Sequence, residues 1–328
     1  MEGLKGKRVL VTGAGGFIGS HLAEQLVEVG ARVRGMVRYN ALGRRGWLEE
    51  SQFAGEMEVC AGDLCDRDSV RAAVKGMEVV FHLGALIAIP YSYEAPASYV
   101  RVNVEGTLNV LQASREEGVG RMVHTSTSEV YGTARYVPID EQHPLQGQSP
   151  YSASKIGADK MAEAYHLSFG LPVVTVRPFN TFGPRQSMRA VIPTIIAQCL
   201  AGGPVRLGSL DPTRDLNYVE NTVQGFLRAA VAPGICGRVL NFGSGREIRI
   251  GDLATLIGRI AGRDVLVEAD PDRVRPAGSE VERLLAESKL ARELTGWEPS
   301  IGLEEGLKRT VEWVGKNLGR YRVKEYVV

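Results

Sequence analysis

The sequence predicts an α/β protein, a Rossmann-type doubly wound parallel sheet followed by a smaller, discontinuous C-terminal lobe. Three observations predict it. Short apolar runs alternate with helical patterns up to about residue 176. A glycine cluster, Gly13-Ala14-Gly15-Gly16-Phe17-Ile18-Gly19, stands between the first such run and the first helix. After Arg177 the rhythm breaks and Pro and Gly become frequent, at Pro178, Gly183-Pro184, Pro193 and Gly202-Gly203-Pro204.

The expected strands are Arg8–Val11, Val33–Val37, Glu58–Ala61, Val79–Leu83, Arg121–Thr125 and Val173–Val176. The expected helices are Ile18–Val29, Arg67–Val74, Tyr99–Glu117 and Tyr151–Phe169. Parallel neighbours need a crossover, so strict strand–helix alternation reads as a parallel sheet. Further helices are expected at Ala190–Ala201, Val219–Val231, Ile250–Ala261 and Ser288–Leu294, and Val239–Phe242 reads as a strand that rejoins the main sheet. The expected domains are 1–176, with about 236–262 returning to it, and a lobe made of 177–235 and 263–310.

Bulk properties narrow the function classes. At 328 residues, a large domain with a smaller lobe is natural. A net charge of +1 gives no general attraction to nucleic acid or acidic membranes, so an anionic ligand needs local cations. No apolar run is long enough for a membrane span or a signal-peptide core. The four cysteines form no C-x-x-C pair and the five histidines are scattered. The expectation is a cytoplasmic protein with neither metal site nor disulfide framework.

A strand running into G-x-x-G-x-x-G (Gly13, Gly16, Gly19) and then a helix is the arrangement that holds a dinucleotide. The turn is tight, the backbone must approach the pyrophosphate, and the helix N-terminus is positive. Phe17 and Ile18 open that helix. Asp63-Leu64 after the third strand and Leu83-Gly84-Ala85 after the fourth lie where ligands of open sheets collect. Asp63 can accept from an adenine amino group. The second strand ends in Met36-Val37-Arg38-Tyr39-Asn40, with no acid for a ribose 2′-hydroxyl. Arg38 can meet a 2′-phosphate, which favours NADP; it can equally stack on adenine or sit in solvent.

Tyr151-Ser152-Ala153-Ser154-Lys155 puts a phenol and an ammonium on one helical face. Such a neighbour should lower the phenol's pKa and make it a base near neutral pH. Thr125-Ser126-Thr127-Ser128-Glu129 leaves the fifth strand as a polar loop. Capping or turn duty would use the same residues.

The glycine loop, Thr127, Tyr151 and Lys155 together resemble an extended short-chain dehydrogenase/reductase, over essentially the whole chain. Val176-Arg177-Pro178-Phe179-Asn180-Thr181-Phe182-Gly183-Pro184-Arg185 and Arg214-Asp215-Leu216-Asn217-Tyr218-Val219 resemble nucleotide-sugar members. The resemblance implies that Thr127 hydrogen-bonds the hydroxyl being oxidised and that Lys155 also holds the nicotinamide ribose. It implies that Asn103 and Pro178 belong to the cofactor site, and that the lobe at 177–235 and 263–310 binds substrate.

Thr127-Ser128-Glu129 resembles sugar 4,6-dehydratases and sugar-acid decarboxylases rather than epimerases. In a 4,6-dehydratase, C4 is oxidised to a ketone, a glutamate removes the acidified C5 proton, water leaves from C6 and the hydride returns there. Glu129 has the chemistry of that base. Ser128 stands where the dTDP-glucose dehydratases carry Asp, as in GDP-mannose dehydratases. Proton delivery to C6 then falls to a water held by Ser128 or to Glu129. Leu86–Tyr93, Pro144–Tyr151 and Leu207–Asp215 resemble the N-acetylglucosamine-nucleotide 4,6-dehydratases of legionaminic-acid-type pathways.

By match to family positions, Arg214 and Arg275 would hold the substrate diphosphate, with Asn180, Arg185 and Ile192 contributing. The stretch from Asp270 to Arg283 is crowded with charge, so Arg275 can also be merely solvated. Ile87, Pro90 and Tyr91 would line the sugar pocket or pack as core. The implied enzyme is a tightly NAD(P)-bound nucleotide-sugar 4,6-dehydratase acting on UDP- or GDP-N-acetylglucosamine. A UDP-glucuronate decarboxylase, a 4-epimerase and a cofactor-binding redox sensor are the alternatives. Apolar surface on the helices at 99–117 and 151–169 implies a homodimer, with no nucleic-acid or membrane partner.

Overall fold

The computed structural model describes residues 2–323. The first half consists of β1 (Arg8–Thr12), α1 (Phe17–Glu28), β2 (Arg32–Arg38), β3 (Glu58–Gly62), α2 (Arg67–Val74) and β4 (Val79–His82). It continues through α3 (Ile89–Glu94), α4 (Pro96–Tyr99), a π-helical turn (Val100–Glu105), α5 (Gly106–Glu116), β5 (Arg121–Thr125), α6 (Pro150–Phe169) and β6 (Val173–Pro178). Then come β7 (Thr181–Phe182), α7 (Val191–Ala201), β8 (Val205–Leu207), β9 (Thr213–Asp215), β10 (Asn217–Tyr218), α8 (Val219–Val231) and β11 (Val239–Phe242). The chain closes with β12 (Glu247–Arg249), α9 (Ile250–Ala261), β13 (Val267–Ala269), β14 (Arg283–Leu284), α10 (Lys289–Thr295) and α11 (Leu303–Lys316).

Among the described residues, seven strands form the main sheet in the order β11-β6-β5-β4-β1-β2-β3. Every pairing in it is parallel. Val239–Phe242 joins its edge beside β6. β4 and β6 are buried along their whole length, as expected of a parallel sheet covered on both faces. The chain leaves β1 toward β2 and β3, then returns to its other side with β4. Helices therefore diverge above the carboxyl ends of β1 and β4, and a crevice opens there.

Two local details depart from the sequence reading. The single helix expected over 99–117 is α4, a π-turn and α5. The wide turn carries Asn103 inward, where its amide donates to Leu86 O (3.0 Å) and accepts from Leu86 N (2.8 Å). Such turns recur where a side chain is placed out of regular helical register. Helix α6 starts one residue before the expected Tyr151. Ser149 and Ser152 form a reciprocal cap around Pro150, which suits the first helical turn.

The rest of the chain folds small sheets, β12-β9-β14, β10-β7 and β13-β8, against α7, α9 and α11. One buried apolar cluster runs from Val9 and Leu22 under the first helices to Ile195, Phe226, Leu253 and Leu307. The two lobes thus share a continuous core.

Candidate active site

A cleft of about 870 Å³ follows the carboxyl edge of the sheet and continues between the lobes. Its first end is made mostly of backbone. Gly13 has φ +71°, and a Cβ there would lie 2.9 Å from the backbone of Gly84. A Cβ on Gly19 would lie 2.2 Å from Gly13 O. Only glycine allows this packing of loop, neighbouring strand and helix. Helix α1 begins after Gly16, and no side chain caps it. Its first-turn N–H groups and dipole thus suit a diphosphate. Phe17, Ile18, Leu83, Ala85 and Pro178 line the same end, as does Arg38.

Two further arginines, Arg44 and Arg45, join Arg38 in that wall. Sequence reasoning missed them, although the G-R-R-G run after the second strand was visible. Their loop is held over the glycine turn by Trp47 N donating to Gly15 O (3.0 Å). It is fastened by Asn40, which pairs with both N and O of Arg44. The wall fits a nicotinamide dinucleotide: an uncapped helix start for the diphosphate, guanidinium groups at one side, and Tyr151 with Lys155 farther along.

Three expected cofactor residues sit elsewhere. Asp63 is exposed outside the cleft wall, and its carboxylate accepts from Cys65 N (2.9 Å) in its own turn. Leu64 lies behind the wall, against Gly84 and Gly106. Asn103 is buried below it, bridging Leu86 to the Ser154 hydroxyl (2.9 Å). It positions the loop after β4 instead of lining the cleft.

In the middle of the cleft, α6 presents Tyr151 and Lys155 to Thr125–Glu129. Lys155 Nζ donates to Thr125 O at 2.6 Å. Burial lowers its pKa to about 8, against the pull of Asp159. Tyr151 is pushed above the ordinary tyrosine range, first by burial and then by the Glu129 carboxylate. A hydrogen bond with Thr127 acts in the opposite direction. This corrects the expectation that Lys155 lowers the phenol's pKa: the ammonium is turned to a carbonyl, and loss of water dominates. Thr127 Oγ1 accepts from Glu129 N (3.2 Å) and so shapes the short turn at Ser128–Tyr131. Ser128 and Glu129 are buried in that turn and line the cleft.

The far end is made of charged side chains. Arg214 is only 6% exposed; burial lowers its pKa, and the Glu129 carboxylate opposes that shift. Arg214 Nη2 meets Glu280 Oε1 at 3.2 Å, and Arg275 Nη1 lies 3.5 Å from the same oxygen. Arg275 is therefore part of a cleft cluster. Glu280 was not foreseen, because its only signal was membership of the charge-rich stretch after Asp270. Asn180 lines the cleft with a buried Oδ1 that has no protein partner, and Ile192 joins it from α7. Arg185 does not line the cleft. It pairs with Glu24 of α1 through two 2.9 Å hydrogen bonds and with Ser20 Oγ at 3.1 Å. Its role is to tie the segment after β7 to α1.

Ile87 and Pro90 line the cleft but Tyr91 does not: it is 40% exposed, with its ring 6.2 Å from that of Tyr99. Arg189 was missed and does line the cleft. Tyr93 of α3 reaches across to Ser279, hydroxyl to hydroxyl, at 2.6 Å. Gln148 holds the same strand-end segment through Gly278 O and Glu280 O. Among the described residues, no His/Cys/Asp/Glu group could hold a metal, and no helix is long and apolar enough to cross a membrane.

Comparison with known proteins adds a family. Residues 10–310 match the model described as GDP-mannose 4,6 dehydratase. A UDP-glucose 4-epimerase of Mycolicibacterium smegmatis is 34% identical, over 93% of this chain and 98% of its own. A dTDP-glucose 4,6-dehydratase of Streptomyces griseus is also 34% identical, over 94% of each. The crystal structure of the dTDP-glucose 4,6-dehydratase DesIV from Streptomyces venezuelae, with NAD bound, superposes with a TM-score of 0.88. That pair shares 30% identity and covers 96% of this chain and 99% of the other.

Proposed function

The chain belongs to the extended short-chain dehydrogenase family of NAD-dependent nucleotide-sugar dehydratases and epimerases, and from that premise we propose that it is a 4,6-dehydratase converting UDP- or GDP-N-acetylglucosamine to the 4-keto-6-deoxy sugar nucleotide. One observation carries the reading. Glu129 places a buried carboxylate in the cleft wall beside the Tyr151–Thr127 pair. Epimerisation at C4 has no need of a carboxylate base there; removal of a C5 proton does.

In this reading Thr127 and Tyr151 bracket the C4 hydroxyl, and Tyr151, in its phenolate form, receives that hydroxyl's proton. Gly13, Gly16, Gly19 and the start of α1 would hold the dinucleotide, which when bound would supply a reversible hydride acceptor for the sugar. Glu129 accepts the C5 proton. The proton that leaves with the C6 hydroxyl comes from a water held by Ser128, in the same turn, or from Glu129, which has just taken one from C5. Arg214 and Arg275 exchange Glu280 for the diphosphate, where guanidinium recognition is bidentate. Arg38, with Arg44 and Arg45 beside it, favours the 2′-phosphate of NADP, and the cofactor stays bound because its electrons return to the same sugar. The outer faces of α5 and α6 with the π-turn leave Val100, Leu167 and Phe169 exposed, and we read them as the seat of a second copy. Sedimentation as a monomer at micromolar concentration would count against that.

The deciding experiment is incubation with a panel of UDP- and GDP-sugars, read by mass spectrometry. Loss of one water from an N-acetylglucosamine nucleotide supports the proposal. A product of unchanged mass makes the protein a 4-epimerase. Loss of carbon dioxide from a uronate makes it a decarboxylase, for which Arg189 in the cleft wall would be the carboxylate-binding cation. Glu129→Gln should stop deuterium wash-in at C5 while the cofactor still binds. Wash-in at the wild-type rate would remove Glu129 from its role.

A further inference from the structure

The face of α6 that carries Tyr151 and Lys155 continues one turn farther, to Asp159. This carboxylate is 5% exposed and fully engaged. Its Oδ2 accepts from Ser126 Oγ (2.7 Å) and from Arg177 Nε (3.2 Å) and Nη2 (3.0 Å). Its Oδ1 accepts from His124 Nε2 at 3.0 Å. Arg177 is fixed in turn, donating from Nη1 to Tyr131 OH (3.0 Å), which donates to Asn241 Oδ1 (2.7 Å). Ser126 directly follows Thr125, whose carbonyl receives the Lys155 ammonium.

The charged groups around Lys155 come from several elements. Asp159 and Tyr151 share its helix, Glu129 lies in the turn after β5, His124 is on β5, His82 on β4 and Arg177 on β6. The two histidines are held below their usual range by burial, so they stay neutral near pH 7. A buried ammonium is unfavourable without a partner charge. Asp159 is the one group whose charge raises the Lys155 pKa. It serves two cations at once, Lys155 and Arg177, while Glu129 adds a second carboxylate on the Tyr151 side.

We propose that Asp159 is a positioning residue of the Tyr151/Lys155 pair: clamped by Arg177, Ser126 and His124, it supplies the counter-charge that seats the Lys155 ammonium against Thr125 O. The inference rests on the reading of Tyr151 and Lys155 as the redox pair, and its test separates the two. The side-chain amine of Lys155 is labelled with limiting acetic anhydride over a pH series and quantified by peptide mass spectrometry, with no substrate present. In Asp159→Asn the midpoint of reactivity should fall by about one pH unit or more. The alkaline limb of kcat should move down with it, while KM for the nucleotide sugar stays within about twofold. Asp159→Glu should restore part of the shift. Should Asp159→Asn not fold, Ser126→Ala takes its place, with a smaller shift of the same sign. An unchanged midpoint in a folded Asp159→Asn, or in Ser126→Ala where that variant stands in, overturns the proposal. Retained activity in Tyr151→Phe would instead overturn the underlying reading, while the labelling midpoint would still report on Asp159.

Discussion

The two ends of the cleft are built from different materials. At the glycine end the wall is backbone: a left-handed Gly13, a Gly19 with no room for a Cβ, and an uncapped start to α1. At the far end it is side chains from distant positions, with Arg214 and Arg275 sharing the Glu280 carboxylate. Backbone dipoles are fixed by the fold and tolerate a bound group of constant shape. Paired side chains can be retuned by single substitutions, which suits the end that chooses among substrates. Between them stands α6, which presents Tyr151 and Lys155 to the cleft.

That contrast can be tested in decreasing order of effect. Tyr151→Phe removes the proton acceptor that serves both ends. It should lower kcat by about 10³-fold with cofactor binding retained, and stopped-flow absorbance should show no reduction of cofactor by substrate. Arg214→Ala attacks the side-chain end alone. Losing a charge-assisted contact should raise KM about 10- to 100-fold with kcat less affected, in steady-state kinetics. An equal loss in kcat would mean that Arg214 acts on the transition state. Arg38→Ala removes one guanidinium from the glycine end, and should weaken NADP about 10-fold more than NAD in a fluorescence titration. Equal weakening of both would remove Arg38 from 2′-phosphate recognition.

The smallest effect is the response to pH. Lys155 has its pKa lowered to about 8. Its ammonium is therefore present below that pH and lost above it. In the unvaried protein kcat should decline as pH rises through about 8, well before a free lysine would titrate. A flat profile to pH 10 would mean that substrate or cofactor binding resets the lysine.

The same contrast explains what was legible in the sequence. The sheet, its crossovers and the glycine loop depend on local spacing, and their residues appear where the pattern places them. Tyr151 and Lys155 are four apart on one helix, so their adjacency is also local. Glu280 and Arg189 meet the other cleft residues only through tertiary folding, and no spacing announces them. Arg185 misled because its neighbours resemble a binding segment, while its partner, Glu24, lies 161 residues away. Asp63 stood at a strand end where ligands gather and Asn103 came from the resemblance alone; in the structure a local turn engages the first and the π-turn buries the second against Leu86. The ionisation of Tyr151 was misjudged for a further reason: a sequence shows neighbours but not the exclusion of water.

The shared core has a mechanical consequence. Because one apolar cluster continues beneath both lobes, they cannot part like jaws without exposing it to water. Away from that core, the Tyr93–Ser279 hydroxyl pair joins α3 to the segment before β14. One hydrogen bond is a weak fastening, opened at the cost of about 1 kcal/mol. Such a fastening holds α3 to that segment yet opens readily.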